Sequence, residues 1–364
     1  MKTHKVSPMT FSFWPLLAII MIVTYSPSVR AQLKEITTTD SRDLTGATGP
    51  TRVIVTRTEQ DGRTIETRIV EGPSINGGYA PLIETEQQTT RLNPNAAIVV
   101  KRQYFRDSNG NRQLLEVTEE QRSTAAGGRE AVVRTTSRAD VNGHLQVVER
   151  EVQETVPTSD NTRQTTSTVS RQTANGFQAI QRSQKIGQLK GDVAEQQTTV
   201  LAPDGNGNFV PFSRAESTTT KTASGQTKDE RIYGNNGLSN LAVIQHNVTT
   251  ESKDAQGTHS TTRTYSAFVP GASPEPPGSL VLVQQVSSSR QTASNGSSQS
   301  KQQFQVINSG NPSSGLQLVT SSSETSQPAG NGQTSGQIVV HNFDGSGTLR
   351  VKWITNSQAT RVIQ

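Results

Sequence analysis

The residues best placed to do chemistry in this sequence are the acids and amides of its glycine turns. Asp107-Ser-Asn109-Gly-Asn111 and Asp204-Gly-Asn206-Gly-Asn208 set oxygen-bearing side chains at alternate positions, as a calcium-binding loop does. The helix–loop–helix calcium spacing then requires Gly at the sixth position and Glu at the twelfth. Here Arg112 and Phe209 stand sixth, and Thr118 and Ala215 stand twelfth. Both loops fail at both places, and Asp, Asn and Gly are also what a tight turn selects for backbone reasons. They are read as turns.

A second grouping is His246, Glu251, Asp254 and His259, which fall around one turn and are the nearest approach to a metal-ligand set. Their spacing favours exposed polar residues on a hairpin tip. His144 and His341 stand alone, and no H-E-x-x-H, nucleophile elbow or phosphate-binding loop occurs. The expected sets of catalytic, cofactor-binding and metal-ligating residues are therefore empty, no cofactor is implied, and the chain is expected not to be an enzyme. Tyr79, Tyr104, Tyr233, Tyr265 and Trp353 are scattered along the chain, not stacked at one repeat position, so a carbohydrate platform is weakly supported.

The element that positions these turns repeats. RADVNGHLQVVER, residues 138–150, has counterparts at Gly78, Gly110, Gly176, Gly207, Gly237, Gly278, Gly315 and Gly347. The fourth residue after each Gly is Leu82, Leu114, Val147, Ile180, Pro211, Leu241, Leu282, Val319 or Val351, aliphatic in every case but Pro211. Such agreement in a chain poor in aliphatics marks a repeat architecture with a period near 32. A second turn lies near the middle of most periods, as at Gly127-Gly128, Ser224-Gly225 and Gly257, so one repeat is a hairpin. Asn-Gly suits the positive φ values of a type I′ turn. About nine repeats make about 18 strands, with arms of roughly 12 residues, or about 40 Å.

Apolar residues sit beside the Gly turns, as Leu145, Val147 and Val148 do, and the far ends are polar, as in ESTTTKTASGQT. This predicts a modest core band near the Gly turns and a hydrophilic fringe at the other end. Residues 32–50 read as a lead-in linker. The Pro-rich stretch 269–277 either divides an array over 51–268 from a more Ser- and Gln-rich one over 278–364 or is a surface loop in one continuous sheet.

Composition limits the remaining choices. Residues 1–31 have Lys2 and Lys5 ahead of a short apolar run over residues 11–25, then Val29-Arg30-Ala31 at a cleavage-like position. They read as a signal peptide, too short for a permanent span. Removing Lys2, Lys5 and Arg30 takes three charges from the net +5 and leaves +2, with no concentrated basic face for nucleic acid. The chain has no Cys, so no disulfide holds it together, and a bacterial periplasmic, cell-envelope or secreted protein is expected. Leu, Ile, Val and Phe make up only roughly a fifth of the chain beyond the leader. Val and Thr dominate, and both suit pleated surfaces.

The expected fold is all-β: an antiparallel meander of about nine two-stranded hairpin repeats in an elongated sheet, with a closed propeller-like or barrel-like arrangement as the alternative. The expected function is an exported structural or interaction protein presenting an extended polar β surface. A repeat-built glycan- or peptide-binding module is the alternative, and an exported hydrolase with an unrecognised site comes third. The expected partners are a protein or glycan of the envelope or cell surface, with self-association through sheet edges. No membrane span is expected after cleavage, because an outer-membrane barrel needs aromatic girdles and an apolar band.

Overall fold

A computed structural model describes residues 30–363 apart from 44–45, 61, 75–76, 108–109, 160, 236–240, 269–278, 309, 331–332 and 344–347. The expected signal peptide lies outside the described residues except for Arg30 and Ala31, which begin the first strand.

Twenty strands follow in chain order. They open with β1 (Arg30–Asp43), β2 (Gly46–Gln60), β3 (Arg63–Pro73), β4 (Tyr79–Asn93), β5 (Ala96–Arg106) and β6 (Arg112–Thr124). Next come β7 (Glu130–Ala139), β8 (Leu145–Ser159), β9 (Thr162–Thr173), β10 (Gly176–Lys190), β11 (Val193–Pro203), β12 (Phe209–Thr222) and β13 (Gly225–Asn235). The last are β14 (Leu241–Lys253), β15 (Thr258–Ser266), β16 (Val281–Thr292), β17 (Ser298–Ile307), β18 (Leu316–Gly330), β19 (Gln333–Phe343) and β20 (Leu349–Ile363). Each pairs antiparallel with the next, and β1 pairs with β20 from Leu33↔Ile363 to Asp43↔Trp353. The sheet closes on itself.

This corrects the elongated sheet in favour of the barrel-like alternative. Residues 32–50 are also not a linker. They form most of β1 and the start of β2, so the ring holds ten hairpins, not nine. The first hairpin escapes the sequence pattern because Gly46 and Gly49 are followed by Ala and Pro, not by an aliphatic cluster. Nor does the Pro-rich stretch divide the array, since β15 and β16 on either side of it pair directly.

Closure has a local cause in a β-bulge at one height of every even-numbered strand. The inserted residues include Leu82, Leu115, Val148, Ile180, Phe212, Ile244, Val283 and Val319, with Thr48 and Lys352 completing the set. A bulge bends its strand and increases the local right-handed twist, and curvature repeated at one height rolls a sheet into a barrel. Following paired residues around the ring returns to β1 displaced by about 22 residues. That stagger tilts the strands by about 37° and makes the ring about 40 Å across.

The wall is one sheet thick. Among the described residues Val340, 7 % exposed, is the one buried apolar side chain. The expected core band therefore exists as a band but not as a core. Each described strand touches its ladder neighbours and little else, and no described element crosses the interior.

Candidate functional site

The turns come first, since they held the sharpest chemical reading. In the hairpin of β7 and β8, the Gly143 N–H donates to Asp140 O at 2.9 Å, and the Asp140 N–H donates to His144 O at 2.9 Å. Gly143 has φ +81°. This is a three-residue loop, a type I turn ended by a left-handed Gly, not the type I′ turn expected. The Asp140 carboxylate accepts from the N–H groups of Asn142 at 2.8 Å and His144 at 2.9 Å. Asp204 accepts in the same way from Asn206 and Asn208, both at 2.8 Å. Asp107 accepts from the Asn111 N–H at 2.8 Å and from the side chains of Asn111 and Gln113. The carboxylates are turned onto their own loops. The amide of Asn208, and then that of Asn206, hold the Asp204 carboxyl below the usual carboxylate range.

The four residues around the β14–β15 turn do not converge. His246 Nε2 lies 2.8 Å from Asp229 Oδ2 on β13, and its ring stacks on Tyr265 at 5.7 Å. His259 lies 3.6 Å from Asp254, whose other oxygen accepts from the N–H groups of Gln256 and Gly257. Glu251 accepts from the Gln226 amide across the ladder at 2.6 Å.

What the ring does assemble is a belt at the end carrying the Gly turns. Strand alternation, carried through the paired register, places Tyr79, Tyr104, Phe177, Phe209, Tyr233 and Tyr265 on one face of the wall. Distant in sequence, they gather near one rim, Tyr104, Tyr233 and Tyr265 at the bulges and Tyr79, Phe177 and Phe209 nearer the turns. On this face Arg52 lies over Tyr79 at 4.5 Å, Arg112 over Tyr104 at 3.5 Å, Arg182 over Phe209 at 4.2 Å and Arg214 over Tyr233 at 4.7 Å. Such contacts hold a cation against a ring face and let one cluster be wet on one side and apolar on the other.

The bulges supply the opposite face at the same height. A Cβ on Gly72 would meet Leu82 Cδ1 at 2.8 Å, and one on Gly234 would meet Ile244 Cδ1 at 2.6 Å. The bulge side chain thus lies over the opposed Gly, away from the tyrosines. Leu82, Leu115 and Phe212 remain 51 %, 43 % and 61 % exposed. The column of aliphatics after each Gly meets Leu82 and falls one residue short at Leu114 and Pro211. Sequence reasoning missed the girdle, because odd strands bring Tyr104, Tyr233 and Tyr265 to it from before a turn and even strands bring Tyr79 and Phe209 from after one. Trp353 lies in β20, opposite Val340 and Asp43.

Beyond the belt both faces carry polar and charged side chains, with exposed apolar ones such as Ile65, Val152 and Ile186 scattered among them. The bulge face carries Glu120 between Arg122 and Arg134, with Arg134 also on Glu151 at 2.7 Å. Further round it carries a shallow cleft of about 410 Å³ lined by Lys228, Glu230, Gln245, Asn247 and Thr264. The aromatic face carries Arg102–Glu86 at 3.0 Å, while Arg52–Glu71 at 2.5 Å and the His246–Asp229 pair lie on that face at the belt itself, where Arg52 meets Tyr79 and His246 meets Tyr265. Apart from Glu120–Arg122, two residues apart on β6, these pairs are cross-strand and part-exposed, and each adds of order 0.2–1 kcal/mol.

No protein-family model matches the chain, and no curated protein is significantly similar to it. Solved structures do resemble it in fold. The siderophore receptor PirA from Acinetobacter baumannii superposes with a TM-score of 0.52 at 7 % identity, covering 92 % of this chain and 80 % of that one. The siderophore receptor PirA from Pseudomonas aeruginosa gives 0.50 at 10 % identity, covering 92 % and 81 %. A point mutant of the ferric enterobactin receptor PfeA from P. aeruginosa gives 0.50 at 8 % identity, covering 91 % and 80 %. By their names these are receptors, not enzymes. The fold is thus a closed, antiparallel twenty-strand barrel of the kind those receptors contain.

Three expectations fall with this result. A soluble protein presenting an extended polar sheet is overturned, because the sheet is a ring with the fold of receptor barrels. Self-association through sheet edges fails for the same reason, since a closed barrel has no edge. The expected lack of a membrane span is corrected too. It rested on the short apolar run and the polar arms, whereas a closed barrel satisfies every ladder hydrogen bond internally and can cross a bilayer with strands.

Proposed function

We propose that the chain is a transport-class barrel of the bacterial envelope, inserted in a membrane, whose lumen admits or holds polar solutes. Closure of β1 on β20 carries this reading. A twenty-strand ring about 40 Å across falls in the size range that encloses an aqueous lumen or a plugged one. No described element fills it. Both faces carry charged and polar side chains beyond the belt, so the lumen wall offers water hydrogen-bond partners whichever face lines it. The similar structures are named for ferric enterobactin and siderophores, and their fold supports a solute-handling barrel. For this chain the proposed class is broader, namely small polar solutes that hydrogen-bond to Thr, Ser, Gln and paired charges. The expected leader supports export.

The test is reconstitution of the purified chain into liposomes loaded with a small hydrophilic dye and with a large dextran. The proposal expects release of the dye and retention of the dextran. Retention of both by vesicles that carry folded, bilayer-associated protein would contradict it.

A further inference from the structure

We infer that the Gly-turn rim is the end by which the barrel seats in a lipid bilayer, with the belt as the part of the wall that meets acyl chains. This rests on the membrane-inserted reading and adds an orientation to it. The belt carries apolar side chains on both faces, with Leu82, Leu115 and Phe212 on the bulge face and Leu145, Phe177 and Phe209 beside the stacked arginines on the aromatic face. Whichever face is outward presents it. Nothing in the described chain covers it, and a contiguous apolar surface left open marks a site of contact with a partner or a membrane.

The ring geometry selects the membrane. The belt runs through the hairpins from β3–β4 to β15–β16, most of the closed wall, so a globular partner would cover one sector and leave the rest wet. A bilayer surrounds the whole circumference. The arginines stacked on Tyr79, Tyr104, Phe209 and Tyr233 add the interfacial character that aromatic and cationic side chains have at headgroup depth. About three residues per strand, tilted, give the belt a height of about 8 Å, close to the depth of the headgroup–acyl boundary. Past it the wall carries Glu120, Arg134, Arg102 and Lys228, which are costly against lipid tails. A belt thinner than the hydrocarbon core is accommodated by thinning the bilayer around it, so short-chain lipids should hold the barrel better.

The test is co-flotation of the full chain with phosphatidylcholine vesicles of twelve-carbon and eighteen-carbon acyl chains. One variant carries Leu82→Ser, Leu115→Ser and Phe212→Ser, and a second carries Leu145→Ser, Phe177→Ser and Phe209→Ser. The control carries Leu92→Ser, Ile186→Ser and Leu189→Ser at the far rim, where these side chains are also exposed. Circular dichroism confirms that each is folded, and Phe212→Ser and Phe177→Ser alone replace any triple that is not. We expect wild type to float better with the short-chain lipid and one belt variant to lose about tenfold or more of its binding. The far-rim control should bind as wild type. Equal binding by both belt variants and wild type, or an equal loss in the far-rim control, would overturn the inference. Belt-dependent flotation without dye release would instead contradict the conduit and leave the seat standing.

Discussion

At the scale of single residues, the turns carry backbone geometry and not metal chemistry. Gly143 sits at φ +81° in open space, so only its conformation is at stake in a substitution. Gly143→Val is expected to destabilise the barrel by about 1 kcal/mol or more, read by chemical denaturation, because a β-branched residue is strained there. Asp204 gives a pH signature. Its carboxyl is held low by the amides of Asn208 and Asn206, so the folded turn favours the ionised form. The stability this contributes is present above the unfolded carboxylate range, about pH 4, and is lost as pH falls through the lowered folded value. Amide exchange at Asn206 and Asn208 should accelerate on that descent, and Asp204→Asn should abolish the pH dependence. The Asx pattern behind both predictions was legible in the sequence as D-x-N-G. That the turn is type I with a terminal left-handed Gly was not, because both turn types accept Asn-Gly.

At the scale of elements, the hairpin was legible and the bulge was not. The aliphatic column after each Gly marks the bulge to within one residue at Leu82, Leu115, Val148, Ile180, Phe212, Val283 and Val319. Alternation alone cannot show that two successive residues share a face, since a bulge breaks the very period used to read the strand. Deleting Val148 should therefore join Val147 directly to Glu149, restore unbroken alternation with both residues on their present faces, and remove the local bend. We expect a loss of about 1–3 kcal/mol in denaturant unfolding, against no more than about 0.5 kcal/mol for Val141→Ser in the exposed turn. Close backbone approach gives a second probe. A Cβ on Gly225 would collide with the Glu251 carbonyl oxygen of β14, so Gly225→Ala is expected to lower stability although its φ permits Ala. A stable Gly225→Ala protein would mean that β13 and β14 pair more loosely at that end.

At the scale of the whole molecule, closure separates this protein from the open sheet that its repeat suggests. A period near 32 is equally compatible with a ribbon, a propeller and a barrel. What decides is the sum of ten bulges and the meeting of β1 with β20, a pairing between residues more than 300 apart that no local signal marks. The chain has no Cys, so the seam can be locked selectively. Thr38 pairs with Gln358, and opposed antiparallel Cα atoms lie about 4.5–5.5 Å apart, within disulfide reach. Thr38→Cys with Gln358→Cys should oxidise to an intramolecular bridge, seen as a mobility shift reversed by reductant. A monomer that stays reduced under oxidant would deny the seam. Closure also gives the girdle its meaning, since the hairpins bring tyrosines scattered along the chain to one edge and wrapping turns that edge into a rim. The central claim is that this ring opens a watery path through a membrane. Planar-bilayer recording of the purified chain tests it most directly: the account predicts discrete conductance steps that persist with the Thr38–Gln358 seam oxidised, and a silent bilayer bearing bound, folded protein would contradict it.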